Sequence, residues 1–303
     1  MTLSVDAHYK QRWDTQVRLR FQGRGFQLKG TVMPPVQIGG EKFYFLRSGS
    51  LSASKWGGRG QAVQVQNGDE DKVEITSDEW DSAYHLYDRD NWMGVPGEEQ
   101  TRQKQAANAL GTKADAIIYS AIMSATIPSG NIFGDYSKGL DPYMLKQAEA
   151  CLFDNFTPTD GRIFMPVPAS QFQRLTTYKI FQNSEWLGVQ GNDRIKASQG
   201  RTYGELNVFQ GEKTLFDPYV GTLGPSSGAS VRIRVWHSEC VGAGHVAPEQ
   251  MRHEWTRQGP FKRWMVQHTL DGGAVVIEPK GIVEFRLKAD ALIESEVMRT
   301  VAA

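Results

Sequence analysis

The chain has 303 residues, of which 40% are hydrophobic and 22% are charged, as in an ordinary globular protein with one to three domains. Lys plus Arg number 34 and Asp plus Glu number 34, so the formal net charge is zero. A dedicated nucleic-acid binder usually has a basic excess, because phosphate neutralisation supplies much of its affinity, and the composition therefore disfavours that class of protein.

The two cysteines, Cys151 and Cys240, form no C-x-x-C pair. Their number and spacing disfavour a disulfide scaffold or a cysteine-rich zinc site and favour a reducing cytosol. Apolar runs all fall short of the roughly 20 residues that span a bilayer, and the first ten residues do not resemble a signal peptide. We therefore expect a protein that is soluble in the cytoplasm.

The first 30 residues interleave charged, aromatic and aliphatic side chains. Six of them are basic and two are acidic, which gives this segment a local charge of +4. Trp13, Val17 and Phe21 follow one another at a spacing of four, which permits a short amphipathic helix. The pattern indicates a basic N-terminal arm.

Residues 31–90 predict β structure, because short aromatic or alternating runs follow one another. The candidate strands are Lys42–Leu46, Ala62–Gln66, Lys72–Thr76 and Trp80–Tyr87. The glycine-rich stretch Ser48–Gly60 cannot bury enough apolar surface to hold a shape alone. It indicates the tip of a long two-stranded excursion, that is, a projecting β-hairpin. Such a hairpin must lie on another surface, because an isolated hairpin is only marginally stable in water.

The strongest helix prediction covers Glu98–Ala125, after Pro96 and Gly97. Gly111 costs about 1 kcal/mol within a helix and indicates a close backbone contact there. Apolar residues recur every three or four positions on one face: Ala107, Leu110, Ala114, Ile117, Ala121 and Ala125. We expect this face to pack on a sheet, so that Ile117→Asp would bury an unpaired charge and prevent folding.

Residues 141–248 predict an α/β unit. Asp141 and Pro142 suit the start of a helix, a strand follows at Arg162–Val167, and a short helix lies around Ser170–Leu175. Val231–Trp236 alternates as a strand. Further along, Asp271-Gly272-Gly273 predicts a turn between closing strands at Arg263–His268 and Val275–Leu287.

This order of elements resembles the coat proteins of tailed bacteriophages, the phage-capsid-like family with the Hong Kong 97-type fold. Several stretches are similar in amino-acid sequence as well as in their order along the chain. They are Tyr9–Gly25, Leu28–Val32, Ser77–Asp90, Ala114–Ile118, Arg162–Leu175, Gly273–Ile277 and Gly281–Glu284. The resemblance covers nearly the whole chain and departs from the family pattern at Gly244–Trp264, which is rich in Trp, His and Arg.

The resemblance implies an α+β fold in five parts. These are an N-terminal arm (1–35), an extended hairpin called the E-loop (36–80), a peripheral domain with a long spine helix (81–140), an axial domain (141–248) and a return to the peripheral domain (249–303). It implies a major capsid protein and not an enzyme, which self-assembles into pentamers and hexamers of an icosahedral head around double-stranded DNA. No cofactor, metal or membrane is implied.

The partners implied are further copies of the chain and non-specific contact with packaged DNA, with portal, scaffolding and decoration proteins as further candidates. The place implied is the virion capsid, assembled in the host bacterial cytoplasm. Residues 67–90 carry nine acids against two bases, a local charge of −7 that complements the arm. The candidates for intersubunit contact are Arg18, Arg20, Lys55, Trp56, Arg59, Asp69, Glu70 and Asp71.

Two other functions stay open. An encapsulin, a cellular compartment with the same fold and an enzyme cargo, would share most of these features. The stretch Gly242–Ala247 has the G-x-G-x-x-A pattern of a nucleotide-dependent enzyme, although a simple glycine-rich turn is the favoured interpretation. His237, Cys240 and His245 are close enough in sequence to suggest a metal site, although partly buried strand-end residues are favoured.

Overall fold

The residues that the structure describes form three β-sheets and a 27-residue helix that contacts two of them. The computed structural model describes residues 23, 25–35, 37–39, 42–49, 70–87, 98–178, 201–222, 229–246, 248, 251–261 and 263–289. The mixture of helix and sheet agrees with the predicted α+β class. The arm residues Arg18 and Arg20, the predicted strand Ala62–Gln66, and the contact candidates Lys55, Trp56, Arg59 and Asp69 lie outside the described residues.

The strands in the described part of the chain are β1 Gln37–Gly39, β2 Lys42–Ser48, β3 Glu70–Thr76, β4 Asp78–Tyr87, β5 Ile132–Phe133, β6 Ile163–Val167, β7 Arg201–Tyr203, β8 Leu206–Gln210, β9 Val220–Thr222, β10 Ala229–His237, β11 Val241–Gly244, β12 Arg252–Gln258, β13 Arg263–Val276 and β14 Ile282–Lys288. The helices are α1 Glu98–Ser124, α2 Pro142–Asp154, α3 Ala169–Thr177 and α4 Lys213–Phe216. Short 3-10 turns connect several of them. The predicted strands at 42, 72, 80, 162 and 231 and the predicted helices at 98, 142 and 170 are therefore confirmed, with small shifts at their ends.

Helix α1 buries a line of residues that is offset from the predicted one. Leu110 and Ala114 are buried as predicted, but Ile118 is fully buried where the prediction named Ile117. Ile117 is partly buried and lies against β13, with its Cδ1 3.4 Å from the position of a Cβ on Gly272. Because α1 is covered along two flanks, its apolar stripe is wider than the single line that the spacing of alanines suggests.

The largest sheet has seven strands in the order β5-β14-β10-β6-β8-β7, with β9 beside β10. β10 is central, since it pairs with β14 along one edge and with β6 and β9 along the other. Its side chains are buried on both faces, including the large Trp236. The alternation of apolar and polar residues along β10 therefore does not separate a core face from a solvent face. Helices α1 and α4 lie over this strand.

The predicted turn at Asp271-Gly272-Gly273 is wrong, because β13 continues through these residues as a 14-residue strand. Gly272 pairs with Asp78 of β4, and Gly273 pairs with Gly244 of β11. A Cβ on Gly273 would lie 3.2 Å from the carbonyl oxygen of Thr76. The two glycines therefore allow α1 and the β3–β4 corner to approach opposite faces of a continuous strand, which is the other common role of glycine in a sheet.

β13 is the centre of the four-stranded sheet, which contains β4, β11, β12 and β13. The strands beyond residue 249 are divided between two sheets. β12 and β13 belong to this four-stranded sheet, and β14 belongs to the seven-stranded one. The smallest sheet, β1-β2-β3, contains the base of the predicted excursion: β2 and β3 are antiparallel from the Lys42–Thr76 pair to the Ser48–Glu70 pair. The division into five parts stays a prediction.

The offset on α1 can be tested by truncation. Ile118→Ala removes a fully buried side chain, and we expect it to lower the free energy of unfolding by about 2–5 kcal/mol. Ile117→Ala is the matched control and should cost about half as much or less, because its side chain keeps partial contact with water. Urea denaturation of the dissociated subunit measures both values, and a larger cost at Ile117 would contradict this packing of α1.

Candidate functional site

The segment from Gly25 to Met33 joins the predicted arm to the body of the subunit. Both oxygens of the Asp115 carboxylate, on α1, accept hydrogen bonds at 2.9 Å from the backbone N–H groups of Gln27 and Leu28. The N–H of Phe26 donates to the carbonyl of Gly111 at 3.2 Å, so the segment crosses α1 at this glycine. The close backbone contact predicted at Gly111 is therefore confirmed.

The same segment continues onto the two larger sheets. The Trp236 indole Nε1–H donates to the carbonyl of Thr31 at 3.0 Å, and Met33 exchanges backbone hydrogen bonds with Val241 and Ala243 of β11. Leu28 is fully buried between these anchors. The segment is consequently held to α1, β10 and β11, which would give the predicted arm a fixed root.

Burial raises the pKa of the Asp115 carboxyl to about 6, although the two backbone hydrogen bonds act in the opposite direction. Glu212 adds to the increase, since its negative charge lies nearby. Glu212 itself accepts a hydrogen bond from the backbone N–H of Gly25 at 3.2 Å. This segment is thus attached to α1 and to Glu212 through two carboxylates.

We call the antiparallel strand pair β2–β3 the β2–β3 ribbon. It packs on β11 through two aromatic rings. Phe43 and Phe45 are buried, and their rings lie directly over Gly244 and Gly242, respectively. A Cβ on Gly244 would stand 2.6 Å from Cγ of Phe43, which is closer than real contacts allow. The glycines therefore serve the close approach of these rings, which fixes the base of the ribbon.

This packing also bears on the nucleotide-binding alternative. The favoured interpretation of Gly242–Ala247 as a turn is wrong for its first half, because Val241–Gly244 is strand β11 and pairs with β13. In a dinucleotide-binding loop the glycines leave space for a pyrophosphate at a helix N-terminus. Here the space above Gly242 and Gly244 is filled by the rings of Phe45 and Phe43.

Two of the three residues considered for a metal site, His237 and Cys240, have surroundings that do not favour a metal ion. His237 is buried, its Nε2 lies 2.8 Å from a carboxylate oxygen of Asp160, and its Nδ1 accepts a hydrogen bond from the N–H of Glu239. Burial raises the pKa of the Cys240 thiol to about 12, which opposes the thiolate form that binds metals. Within the described residues, no group of three or more His, Cys, Asp and Glu side chains is placed to hold a metal ion.

The sequence interpretation missed Arg234 and Glu284, whose side chains are both buried. The Nε and Nη2 atoms of Arg234 donate to one Glu284 oxygen at 2.9 and 2.8 Å. The Nη1 atom donates to the carbonyl of Ile122 and, at 2.8 Å, to that of Ala125, so it caps the end of α1. The sequence did contain a signal for this pair, because each of the two charged residues lies between two apolar residues of a strand.

Comparison with known proteins identifies the family. A model of the family described as phage capsid protein matches residues 5–288. The chain belongs to this family. Among curated protein sequences none matches the chain.

Solved capsid structures share the fold at low sequence identity. The capsid of Ralstonia phage GP4 is 8% identical, with a TM-score of 0.67 over 91% of this chain and 94% of that one. The head of Helicobacter pylori bacteriophage KHP40 is 8% identical, with a TM-score of 0.66 over 90% and 94%. The structure of Mycobacterium phage Che8 is 14% identical, with a TM-score of 0.65 over 90% and 95%. These similarities confirm the predicted Hong Kong 97-type fold.

Glu70 and Asp71 are the two predicted contact residues that the structure describes. Both are exposed at the end of β3, opposite Ser48 and Arg47 of β2. The Nε atom of Arg47 lies 3.6 Å from a carboxylate oxygen of Glu278, so Arg47 is directed to Glu278 and not to Asp71. The structure thus places both acids on the surface of the capsid-family subunit, and their contact with a neighbour stays a prediction. None of the helices described for this chain is both long and apolar enough to cross a membrane.

The ring-over-glycine packing gives a direct test. Gly244→Ala should lower the free energy of unfolding by about 1–3 kcal/mol, because the new methyl group meets the Phe43 ring. Gly130→Ala is the control, since a Cβ there would meet nothing within 4 Å. In a Phe43→Ala background the Gly244 substitution should cost much less, which a double-mutant cycle in urea would detect. An unchanged cost in that background would show that the ring is not the obstacle.

The anchor at Asp115 predicts a specific pH dependence. Its pKa is about 6 in the folded chain, against a reference value of about 3.9 in the unfolded chain. The folded state therefore binds more protons between these values, so this group's contribution to the free energy of unfolding falls as pH rises from 4 to 6. Asp115→Asn removes that contribution, and the advantage of the wild type over the variant should shrink by about 1–3 kcal/mol between pH 4 and 7.

The control is Asp135→Asn. This carboxyl lies on the surface, and hydrogen bonds from Ser137 lower its pKa. A lowered pKa stabilises the folded state above the unfolded value and is lost only at more acidic pH, so this variant should leave the slope between pH 4 and 7 unchanged. A wild-type slope that persists in Asp115→Asn would contradict the assignment.

Proposed function

We propose that this chain is the major capsid protein of a tailed bacteriophage, which assembles into the pentamers and hexamers of an icosahedral head around double-stranded DNA. The observation that carries this proposal is the match to the phage capsid protein family over residues 5–288. The fold supports it, since capsid structures superpose over about nine tenths of both chains. A structural role agrees with the occupied glycines of β11 and with the neutral net charge.

The form of the subunit suits shell assembly. A closed shell needs a rigid body with surfaces that meet different surfaces of neighbouring copies, because heterologous contacts repeat until curvature closes the structure. α1 and the two larger sheets form such a body, and the N-terminal segment and the β2–β3 ribbon are each attached to it at a fixed root. We assign the β2–β3 ribbon as the base of the E-loop and α1 as the spine helix.

The arm and the E-loop are proposed to run along neighbouring copies. Arg18 and Arg20 on the arm would meet acidic residues of the 67–90 segment, with Glu70 and Asp71 exposed for such a contact. Portal, scaffolding and decoration proteins are further proposed partners. DNA would be contacted through its phosphates and without sequence preference, since the neutral chain provides little attraction for it. The proposed location is the virion capsid, assembled in the bacterial cytoplasm.

Negative-stain microscopy and sedimentation of the chain expressed alone test this proposal. We expect closed, hollow particles built from rings of five and six subunits, and no specific binding of NAD or ATP in equilibrium dialysis. Particles that consistently enclose a host enzyme and lack nucleic-acid absorbance, including those recovered from an infected host, would favour an encapsulin. A protein that stays monomeric across salt and concentration and binds a nucleotide would contradict a shell subunit.

A further inference from the structure

The four-stranded sheet has one face against α1 and one face directed away from it. Val266, His268 and Leu270 of β13 are buried on the α1 side, and a Cβ on Gly272 would point toward Ile117 of the helix. Because side chains alternate along a strand, the odd-numbered residues of β13 and their β4 partners point to the opposite side. We call this opposite side the outer face.

One end of the outer face carries a cation among aromatic rings. The Arg263 guanidinium lies 5.9 Å from the ring of Tyr87 and 4.7 Å from the ring of Phe261. Its Nε donates to Gln258 Oε1 at 2.6 Å, and its Nη1 donates to the Tyr87 hydroxyl at 3.4 Å. Among the described residues, the groups that contact the guanidinium are all neutral, so they orient it without adding a negative charge. We call Tyr87, Gln258, Phe261 and Arg263 the tip cluster.

The tip cluster has the composition of a protein-binding surface. Phe261 is 63% exposed and Tyr87 is 44% exposed, although Phe261 belongs to a 3-10 turn and Tyr87 to strand β4. Aromatic residues and arginine are the types most enriched at the energetic centres of protein interfaces. The adjoining strand β12 is exposed along six of its seven residues, so this edge of the sheet is open to another chain.

The other end of the outer face has an excess of negative charge, because the cation there, Arg252 of β12, is paired with the carboxylate of Asp271. Glu79 and Asp81 of β4 are exposed there, and the described partner of Asp81 is the neutral Gln267 side chain at 3.2 Å. We call Glu79 and Asp81 the acidic end. The register places Tyr87 opposite Arg263 and Glu79 opposite Asp271, so the two ends are eight residues, or about 27 Å, apart along one ladder.

We propose that the tip cluster of one copy docks on the acidic end of a second copy. The two ends cannot meet within one chain, because a continuous β4–β13 ladder holds them apart. A contact between unlike ends is heterologous and therefore repeats from copy to copy, as a closed shell requires. The rings supply apolar surface, and the opposite charges select the orientation of the approaching copy. This inference rests on the proposed function, since it names the surface through which the shell subunit finds a neighbour.

The test is a charge-exchange experiment on assembly. Arg263→Glu and, separately, Glu79→Arg with Asp81→Arg place like charges at the contact. We expect each to raise the subunit concentration needed for assembly by about threefold or more, since one weak pair per contact recurs at every interface. The triple variant restores opposite charges in exchanged positions and should return this concentration to within about twofold of the wild type. Sedimentation of particles against free subunits measures all of them.

Two controls separate this contact from a general effect of charge or folding. Lys138→Glu and Asp154→Arg change exposed charges outside the four-stranded sheet and should leave the assembly concentration unchanged. Thermal melting of the dissociated subunit identifies variants that damage folding. Should Arg263→Glu lower the melting temperature, Phe261→Ser removes exposed apolar surface from the same cluster without altering charge and should itself weaken assembly.

The outcomes are distinct. The docking would be overturned if the wild type forms shells and both charge reversals assemble at the wild-type concentration. It would also be overturned if the triple variant is as defective as the two reversals added together. Either result would leave the proposed function in place. Reversal at Arg263 that lowers the nucleic-acid content of the particles at unchanged yield would mean that the tip cluster contacts nucleic acid instead. A wild-type chain that never assembles would remove the proposed function itself.

Discussion

The arrangement of this subunit depends on a buried ion pair at the end of its long helix. Arg234 on the central strand of the seven-stranded sheet pairs with Glu284 on the adjacent strand and also donates to two carbonyl groups at the end of α1. A helix C-terminus carries partial negative charge and unsatisfied carbonyl groups, so a cation there meets both needs. The pair is costly to desolvate, but removing Glu284 would leave the buried Arg234 guanidinium without a carboxylate partner, which is strongly destabilising. Glu284 has a second partner, since its other oxygen lies 3.1 Å from Nε of Arg286.

This ion pair fixes the direction of α1, and the rest of the architecture follows from that direction. Tyr119 of the helix contacts Trp236 and the Arg232 carbonyl of the seven-stranded sheet, and Ile117 lies against β13. β13 then positions β4, β11 and β12, and β11 in turn receives the rings of the β2–β3 ribbon. The parts proposed to contact neighbouring copies are therefore connected to one another through packed sheets and a single long helix.

Glycine has one recurring purpose in this fold, which is to let another chain segment come close. Gly242 and Gly244 lie beneath aromatic rings, Gly272 and Gly273 lie between α1 and the β3–β4 corner, and Gly25 crosses α1 at Gly111. Gly25 also has a φ of 65°, which favours glycine. Local sequence patterns do not separate this purpose from a turn or a phosphate-binding loop, because all three need a residue without a side chain. The identity of the approaching segment decides between them.

Much of the local structure could be predicted from the sequence, because periodicity reports which side of a segment is apolar. The bounds of α1, the strands at 42, 72, 80 and 231, and the exposed acids of β3 followed from spacing and composition, and the resemblance to phage coat proteins supplied the fold. Only the tertiary structure decided the remaining features. β13 passes unbroken through Asp271–Gly273, Ile118 is buried more deeply than Ile117, and Arg234 lies inside the protein. Each of these depends on a segment distant in sequence, since burial of a charge or close approach to a glycine exists only when the partner is in place.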